Sequence, residues 1–280
     1  MKVIKLLDGS TLYYNNFDEI DKYENITVFT CLCENLIVVP LIVKHMINLV
    51  ELNIIYNEIV ELPDWICDLS KLERLFCGFN KLKNLPNEIH KLSNLKTLDC
   101  RLNQLCALPN SINNLTKLED LFCCSNKISK LPIDNLLCLK WLSCDENMLD
   151  ELPKNIGNLH NLKRINCSIN PLKTLPDSIC DLNNLEELWC HSSKTFCSLP
   201  ENIGHLSNLK VLKCYECNMT KLPESIINLR KINDLCFDYR SVCDLTPPQI
   251  RYINWIKSGK KHKFNEHYDN TFVKFAGKII

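Results

Sequence analysis

The sequence predicts an α/β solenoid whose concave side is a parallel sheet and whose convex side consists of irregular or 3₁₀ segments. Three observations lead to this prediction: a Leu-Pro step recurs about every 23 residues, a short strand pattern precedes each step, and apolar residues follow it at every third position. A fixed period of roughly 20 to 29 residues, with leucines at fixed offsets inside it, indicates stacked coils rather than independent elements.

The Leu-Pro step sets the repeat, and its prolines lie 23, 23, 23, 23, 21, 23, 24 and 23 residues apart. The steps are Val39-Pro40, Leu62-Pro63, Leu85-Pro86, Leu108-Pro109, Leu131-Pro132, Leu152-Pro153, Leu175-Pro176, Leu199-Pro200 and Leu222-Pro223. The repeat fills most of the 280 residues, which leaves no room for a second compact domain. We predict an N-terminal cap over residues 1–25, repeats over residues 26–246 and a C-terminal cap over residues 247–280.

The first half of each coil has the pattern of a strand. In one coil, Leu75 and Cys77 alternate with Arg74 and Phe76, and this period of two is typical of a strand with one buried face. We expect Leu75 and Cys77 to point into the core and Arg74 and Phe76 to point outward. The stacked strands would form the concave face.

The second half of each coil returns on the convex side. Beyond Pro86, the apolar residues Ile89, Leu92 and Leu95 recur at every third position. This spacing favours a 3₁₀ or irregular helical segment over a long α-helix.

An asparagine recurs where each strand ends, at Asn57, Asn80, Asn103, Asn126, Asn147 and Asn170. At that turn the chain leaves backbone donors and acceptors away from water, and an amide side chain can pair with both kinds. We interpret these asparagines as a structural ladder. The place is taken by Glu34 near the start, by Ser193 beside a one-residue insertion, and by Cys217 and Arg240 near the end.

Eight of the 18 cysteines share one position of the repeat, namely Cys31, Cys77, Cys100, Cys123, Cys144, Cys167, Cys190 and Cys214. A free cysteine behaves as a small hydrophobe, so a thiol in every coil indicates core filling in a reducing compartment. Residues 1–8 are no signal peptide, because the apolar run Leu6-Leu7 is too short for the apolar core that a signal peptide needs. The sequence therefore predicts an intracellular, cytoplasmic protein.

Composition argues against several classes of function. Lys plus Arg and Asp plus Glu both total 33, which gives no net charge to attract nucleic acid or an acidic membrane. The longest apolar run, residues 36–43, is far too short to span a bilayer. No two glycines are close enough for a phosphate-binding loop, and the one CxxC pair, Cys214 and Cys217, falls on repeat positions. We predict no cofactor and no metal.

The combined pattern, LxxLxCxxNxLxxLP followed by xxIxxLxxL, resembles the leucine-rich repeat family over roughly residues 26–246. It is most similar to the intracellular LPxxIxxLxxL class of Ras-binding scaffolds, plant relatives and bacterial effectors. The core thiol and the Asn-, Ile- and Lys-rich composition also resemble leucine-rich repeat proteins of giant DNA viruses. The resemblance implies a right-handed horseshoe, and it names small GTPases and ubiquitin-ligase components as candidate partners.

The outward side chains of successive strands are the candidate binding site. They are Arg74, Phe76, Asp99, Arg101, Asp120, Phe122, Trp141, Asp145, Arg164, Glu187, Trp189, Lys213 and Tyr215. Aromatic and arginine side chains on one wall are common anchors of protein interfaces. The alternative is that the outward aromatic rings only cover the strands and pack on one another.

Two ring clusters are expected on this wall, since strands stack about 4.8 Å apart. Phe122 and Trp141 should be neighbours, and Trp189 and Tyr215 should form a second cluster. The coil between the prolines at 132 and 153 lacks two residues directly after the first proline, so the deletion should fall on the convex side and locally alter curvature. We predict that the adjacent Phe122 and Trp141 are the centre of a partner site.

We predict a non-catalytic scaffold that binds a partner protein on its concave face. The alternative is a substrate-recruiting adaptor or subunit of a ubiquitin ligase or another enzyme complex. An enzyme would need a catalytic domain outside the repeats, and the 34 residues after Thr246 are too few for one.

Overall fold

The computed structural model describes residues 2–14, 16, 20, 22–238, 242 and 244–259. In this part of the chain, twelve strands form one sheet in the order β12-β11-β10-β9-β8-β7-β6-β5-β4-β3-β1-β2. The strands are β1 Lys2–Leu6, β2 Thr11–Tyr14, β3 Ile26–Cys31, β4 Glu51–Asn53, β5 Arg74–Phe76, β6 Thr97–Asp99, β7 Asp120–Phe122, β8 Trp141–Ser143, β9 Arg164–Asn166, β10 Glu187–Trp189, β11 Val211–Cys214 and β12 Asp234–Phe237.

Strands β3 to β12 are parallel and in register, so that equivalent residues of successive coils lie side by side. Leu75, for example, pairs with Leu52 on one side and Leu98 on the other. All three are fully buried, whereas Arg74 and Phe76 keep exposed surface. The predicted solenoid and its inward and outward faces are confirmed.

The return segments are 3₁₀ helices, as predicted, and their apolar triplets such as Ile89, Leu92 and Leu95 are fully buried. The described 3₁₀ helices are Tyr23–Asn25, Leu41–His45, Asp64–Asp68, Ile89–Lys91, Asn110–Asn114, Ile156–Asn158, Asp177–Asp181, Ile203–His205 and Glu224–Asn228. In the shortened coil no helix forms between residues 132 and 153, although all of these residues are described. Strands β7 and β8 nevertheless stay in register, so the deletion does fall on the convex side.

The asparagine ladder is confirmed. The Asn103 amide donates to the carbonyl oxygens of Cys77, Cys100 and Arg101 at 3.0–3.2 Å. Its Oδ1 accepts from the Leu82 N–H at 2.9 Å. The other five predicted members make the same set of bonds.

Toward the C-terminal end the ladder changes chemistry. The Ser193 hydroxyl donates to the Leu172 carbonyl at 3.1 Å, and the Cys217 thiol donates to the Cys190 carbonyl at 3.5 Å. Arg240, predicted at the last place, lies outside the described residues.

The residue before each ladder position adopts a left-handed backbone, which the sequence did not reveal. These residues are Cys33, Tyr56, Phe79, Leu102, Ser125, Glu146, Ile169, Ser192 and Glu216, with φ between 49° and 57°. Such a conformation is unfavourable for side chains other than glycine or asparagine. Inter-coil hydrogen bonds offset the cost, since the N–H groups of Phe79 and Leu102 donate to the carbonyls of Arg101 and Cys124.

The convex side carries a second asparagine ladder that sequence reasoning missed. Asn48, Asn94, Asn161, Asn184 and Asn208 each donate from Nδ2 to a backbone carbonyl of the preceding coil, at 2.6–2.8 Å. Their separation in the sequence is irregular because other coils place lysine or cysteine at this position. The two ladders tie each coil to its neighbour on both sides of the core.

Elements at both ends cover the repeats. Strands β1 and β2 form an antiparallel hairpin that pairs with β3. Helix α1, Pro247–Lys257, packs on the last coil, where Gln249 donates to the carbonyl of Leu222 at 3.0 Å and the Tyr252 hydroxyl donates to that of Leu229 at 2.7 Å. The cap boundaries themselves stay predictions, since residues 260–280 lie outside the described part. Among the described residues, no helix has the length and apolar character to cross a bilayer.

Candidate functional site

The concave wall is the surface formed by four residues of each coil from β4 to β12. They are the first and third residues of the strand and the two residues that follow the buried cysteine place. Because the strands are parallel and in register, each of these positions forms a row across the sheet. All thirteen predicted site residues lie on this wall, and all except Asp99 keep exposed surface.

Four side chains form a continuous stack at the middle of the wall, which we call the central cluster: Arg101, Phe122, Trp141 and Arg164. The Phe122 and Trp141 rings meet edge to face, with centroids 4.9 Å apart and planes at 82°, so their predicted contact is confirmed. The Arg101 guanidinium lies 4.9 Å from the Phe122 centroid. The Arg164 guanidinium lies 4.9 Å from the Trp141 centroid. Cation–π and edge-to-face contacts hold these long side chains in fixed positions.

Each basic residue of the wall is paired with an acidic residue. The pairs are Arg74–Glu51 at 2.7 Å, Arg101–Asp99 at 2.8 Å, Arg164–Glu187 at 3.4 Å and Lys213–Asp234 at 2.5 Å. Asp99 is only 5% exposed because the Arg101 guanidinium lies over it. Asp99 lies on the predicted face, but its carboxylate is covered and positions Arg101, so its direct contact with a partner stays a prediction.

The prediction that the Trp189 and Tyr215 rings form a second cluster is wrong. The Tyr215 ring stacks on His191, with centroids 4.3 Å apart and planes at 9°. In a parallel in-register sheet a residue lies beside the equivalent residue of the next coil, and this residue is Lys213 for Trp189. Burial lowers the pKa of His191, which keeps the stacked imidazole neutral near pH 7.

Two acidic residues flank the central cluster without a basic partner. Asp120 accepts a hydrogen bond from the Thr97 hydroxyl at 3.3 Å, and Asp145 accepts one from the Ser143 hydroxyl at 2.7 Å. Burial raises the pKa of both carboxyl groups. Each is thus partly desolvated, and among the described residues neither has an ion pair, although Lys140 and Arg164 act on Asp120 from a longer distance.

Sequence reasoning missed several residues of the wall. Ser143 orients Asp145, and Ser168 follows Asp145 in the same row. The Ser168 hydroxyl is buried and has no hydrogen-bond partner among the described residues. Small polar residues at these positions vary from coil to coil, so the repeat pattern carries no signal for them.

Cys190 and His191 do not form a nucleophile and base pair in the described structure. Burial raises the pKa of the Cys190 thiol well above its usual range, and the neighbouring His191 contacts Tyr215 and Ser192 instead. Within the described ranges, no three His, Cys, Asp or Glu side chains are placed to hold a metal ion. The prediction that the protein has no metal and no cofactor stays a prediction.

Comparison with solved structures identifies the architecture. A leucine-rich repeat protein of Leptospira interrogans matches 78% of this chain with 30% identity and a TM-score of 0.72. A plant peptide hormone receptor, RGFR1 in complex with RGF2, matches 71% of the chain with 27% identity and a TM-score of 0.58. An internalin of Listeria monocytogenes, InlF, matches 77% with 19% identity and a TM-score of 0.61, which supports the fold alone.

This chain spans 56% of the Leptospira protein, 37% of the plant receptor and 68% of the internalin. No protein-family model matches the sequence, and no curated protein matches it either. The shared feature is therefore the repeat architecture itself.

Proposed function

We propose that this leucine-rich repeat solenoid is a non-catalytic scaffold that binds a partner protein on its concave wall, with the central cluster as the anchor. The observation that carries the proposal is the stack of Arg101, Phe122, Trp141 and Arg164, which keeps exposed surface at the middle of the concave wall. Aromatic and arginine anchors held rigid before binding lose little conformational entropy when a partner docks.

The structural neighbours support a binding role. The structure of the plant peptide hormone receptor RGFR1 is a complex with RGF2, and the receptor shares 27% identity with this chain. By analogy, the wall here would receive a polypeptide. Fold likeness alone does not assign a function, so the proposal depends on the side chains of the wall.

Small GTPases and ubiquitin-ligase components are the partner classes that the sequence resemblance implies. The alternative function is an adaptor or enzyme-complex subunit that recruits a substrate. The scaffold and the adaptor would use the same wall, and the adaptor would in addition be bound to an enzyme.

We also propose a cytoplasmic location and membership of the intracellular LPxxIxxLxxL class, with a relationship to leucine-rich repeat proteins of giant DNA viruses.

The test is affinity capture with the full chain and three variants as parallel baits. Trp141→Ala and Phe122→Ala remove the ring anchors, and Lys91→Ala, on the convex face, is the control. We expect Trp141→Ala to abolish binding of the captured partner or to weaken its binding free energy by at least about 2 kcal/mol, and Lys91→Ala to retain binding. Equal affinity of all four baits for the captured protein would place the binding site elsewhere.

A further inference from the structure

The charge of the concave wall differs from that of the whole chain. The chain has 33 basic and 33 acidic residues. The wall has nine acidic residues, Glu51, Asp99, Asp120, Asp145, Glu146, Glu187, Glu216, Asp234 and Asp238, against four basic ones, Arg74, Arg101, Arg164 and Lys213. The rest of the chain accordingly has 29 basic and 24 acidic residues. The described wall is thus acidic, although the charge of the whole chain cancels.

The ion pairs of the wall do not remove this surplus. All four basic residues are already paired, each with a different carboxylate. Five carboxylates are left: Asp120, Asp145, Glu146, Glu216 and Asp238. They accept hydrogen bonds from the neutral groups of Thr97, Ser143, Ser125, Ser192 and the Cys217 backbone, respectively. Hydrogen bonds of this kind orient a carboxylate and leave its charge in place.

The row of residues just before the strands adds little compensation. Lys96, Lys140 and Lys210 are each paired with a glutamate of the preceding coil, at 2.6–2.9 Å. Lys163 is the surplus lysine of that row. The negative charge of the wall is therefore not neutralised by its rim.

The strand register places two of the uncompensated carboxylates around the aromatic anchor. Asp120 pairs directly with Trp141 across strands β7 and β8, and Phe122 pairs with Ser143. Asp145 lies two residues after the last residue of β8, Ser143. The Arg101 and Arg164 guanidinium groups already lie over the Phe122 and Trp141 rings. A partner side chain beside the ring pair would have a carboxylate at either end, an arrangement that suits an ammonium or guanidinium group.

A second observation in the same row is an unpaired hydroxyl group. The buried Ser168 hydroxyl, next to Asp145 in sheet order, has no hydrogen-bond partner among the described residues. An unsatisfied buried polar group costs free energy, and a hydrogen bond from an ammonium or guanidinium group of a ligand would recover part of it. His191, on the other side of Ser168, is neutral and adds no positive charge to compete with such a donor.

We propose that the concave wall binds a cationic polypeptide segment, with lysine or arginine side chains seated at Asp120 and Asp145 beside the Phe122 and Trp141 rings. This inference rests on the proposed function, because it specifies the chemistry of the partner on the same wall. A nucleic acid would be repelled by the five uncompensated carboxylates, and an acidic peptide likewise. Electrostatic complementarity of this kind sets partner choice and association rate more than raw affinity.

The experiment uses the full chain and two fluorescein-labelled peptides of twelve residues. One alternates arginine with serine, and the other alternates glutamate with serine. Fluorescence anisotropy measures binding at low and at raised salt. We expect the arginine peptide to bind, with affinity that falls as salt rises, and the glutamate peptide to leave the anisotropy unchanged.

Two matched double variants separate the wall from general electrostatics. Asp120→Asn with Asp145→Asn removes two negative charges from the wall, and Asp68→Asn with Asp181→Asn removes the same charge from exposed positions at the ends of two convex helices. We expect the first pair to weaken binding of the arginine peptide by about tenfold or more and the second pair to change it by less than about twofold. Equal losses in both pairs, no loss in either, or no binding to the unaltered chain would overturn the inference.

Two further results distinguish this inference from the proposed function. If a captured protein partner depends on Trp141 but not on Asp120 and Asp145, the anchor is right and the cationic chemistry is wrong. If binding of the arginine peptide depends on the two aspartates but not on Trp141 or Phe122, the cationic chemistry is right and the proposal that the rings are the anchor is wrong.

Discussion

The backbone of Gly204 lies directly against the carbonyl oxygen of Ser225 in the next coil, and the Gly204 N–H donates to the Ser225 hydroxyl at 3.1 Å. A Cβ added at residue 204 would fall far inside van der Waals contact with that oxygen. A Cβ added at Gly157 would likewise fall against the Ser178 carbonyl oxygen. Two of the six glycines are thus fixed by the closeness of neighbouring coils rather than by a special backbone conformation.

We predict that Gly204→Ala destabilises the protein by about 1–3 kcal/mol or more, because the blocking atom is backbone and no rotamer relieves the contact. His205→Ala, at the exposed next position, should stay within about 0.5 kcal/mol. Urea melts of both variants measure the difference. A Gly204→Ala protein as stable as the His205→Ala control would mean that the coils can separate at this point without cost.

Asn103→Ala should lower the free energy of unfolding by roughly 1–3 kcal/mol, because it leaves three carbonyls and the Leu82 N–H without their amide partner. Lys91→Ala removes only an exposed pair with Glu88 and should cost less than about 0.5 kcal/mol. Denaturant melts that rank the two variants as equal would contradict the structural role of the ladder.

The thiols should fall into two classes of reactivity. The eight predicted core cysteines are all buried, and burial raises the pKa of Cys167 to about 12. Cys33, Cys106, Cys138 and Cys197 are exposed. Alkylation of the native protein at pH 7.5, followed by mass spectrometry, should modify the exposed four first and the core eight only after denaturant is added. Rapid labelling of the core set, or disulfides between its members, would contradict this assignment. Cys243 lies outside the described residues.

Neutralising Asp145 should not destabilise the fold. Burial raises the pKa of this carboxyl group in the folded state. In the unfolded chain an aspartate has a pKa of about 3.9, so the folded state binds the proton more tightly. The protein therefore loses stability as pH rises from the unfolded-state pKa through the raised pKa of the folded state. Asp145→Asn removes this loss and keeps an acceptor for the Ser143 hydroxyl.

We therefore expect the stability of Asp145→Asn relative to the unaltered protein to increase between pH 4 and pH 7. Paired urea melts at the two pH values provide the measurement. A relative stability that instead falls with pH would indicate that the ionised carboxylate is stabilised by a charge on the folded protein.

Much of the candidate site could be located from the sequence because a strict repeat converts position in the chain into position on a face. Arg101, Phe122, Trp141 and Arg164 were placed on one wall from their offsets alone. Their mutual contacts could be anticipated only for Phe122 and Trp141, since the sequence does not specify which side chain bends toward which neighbour. The cover over Asp99 could not be predicted for the same reason: its row faces outward as expected, but the Arg101 guanidinium lies over the carboxylate.

The sequence by itself determined the coil, its period, its inward leucines and cysteines and its asparagine ladder. Each of these is a local pattern that recurs in every coil, and only in-register stacking of the coils buries all the recurring apolar residues together. The tertiary structure alone decided three further features: the left-handed residue before each asparagine, the glycines that contact the next coil, and the ion pairs of the wall, which among the described residues do not include five of its carboxylates. These features arise between coils. They depend on distances across the stack, which the order of residues along one coil does not contain.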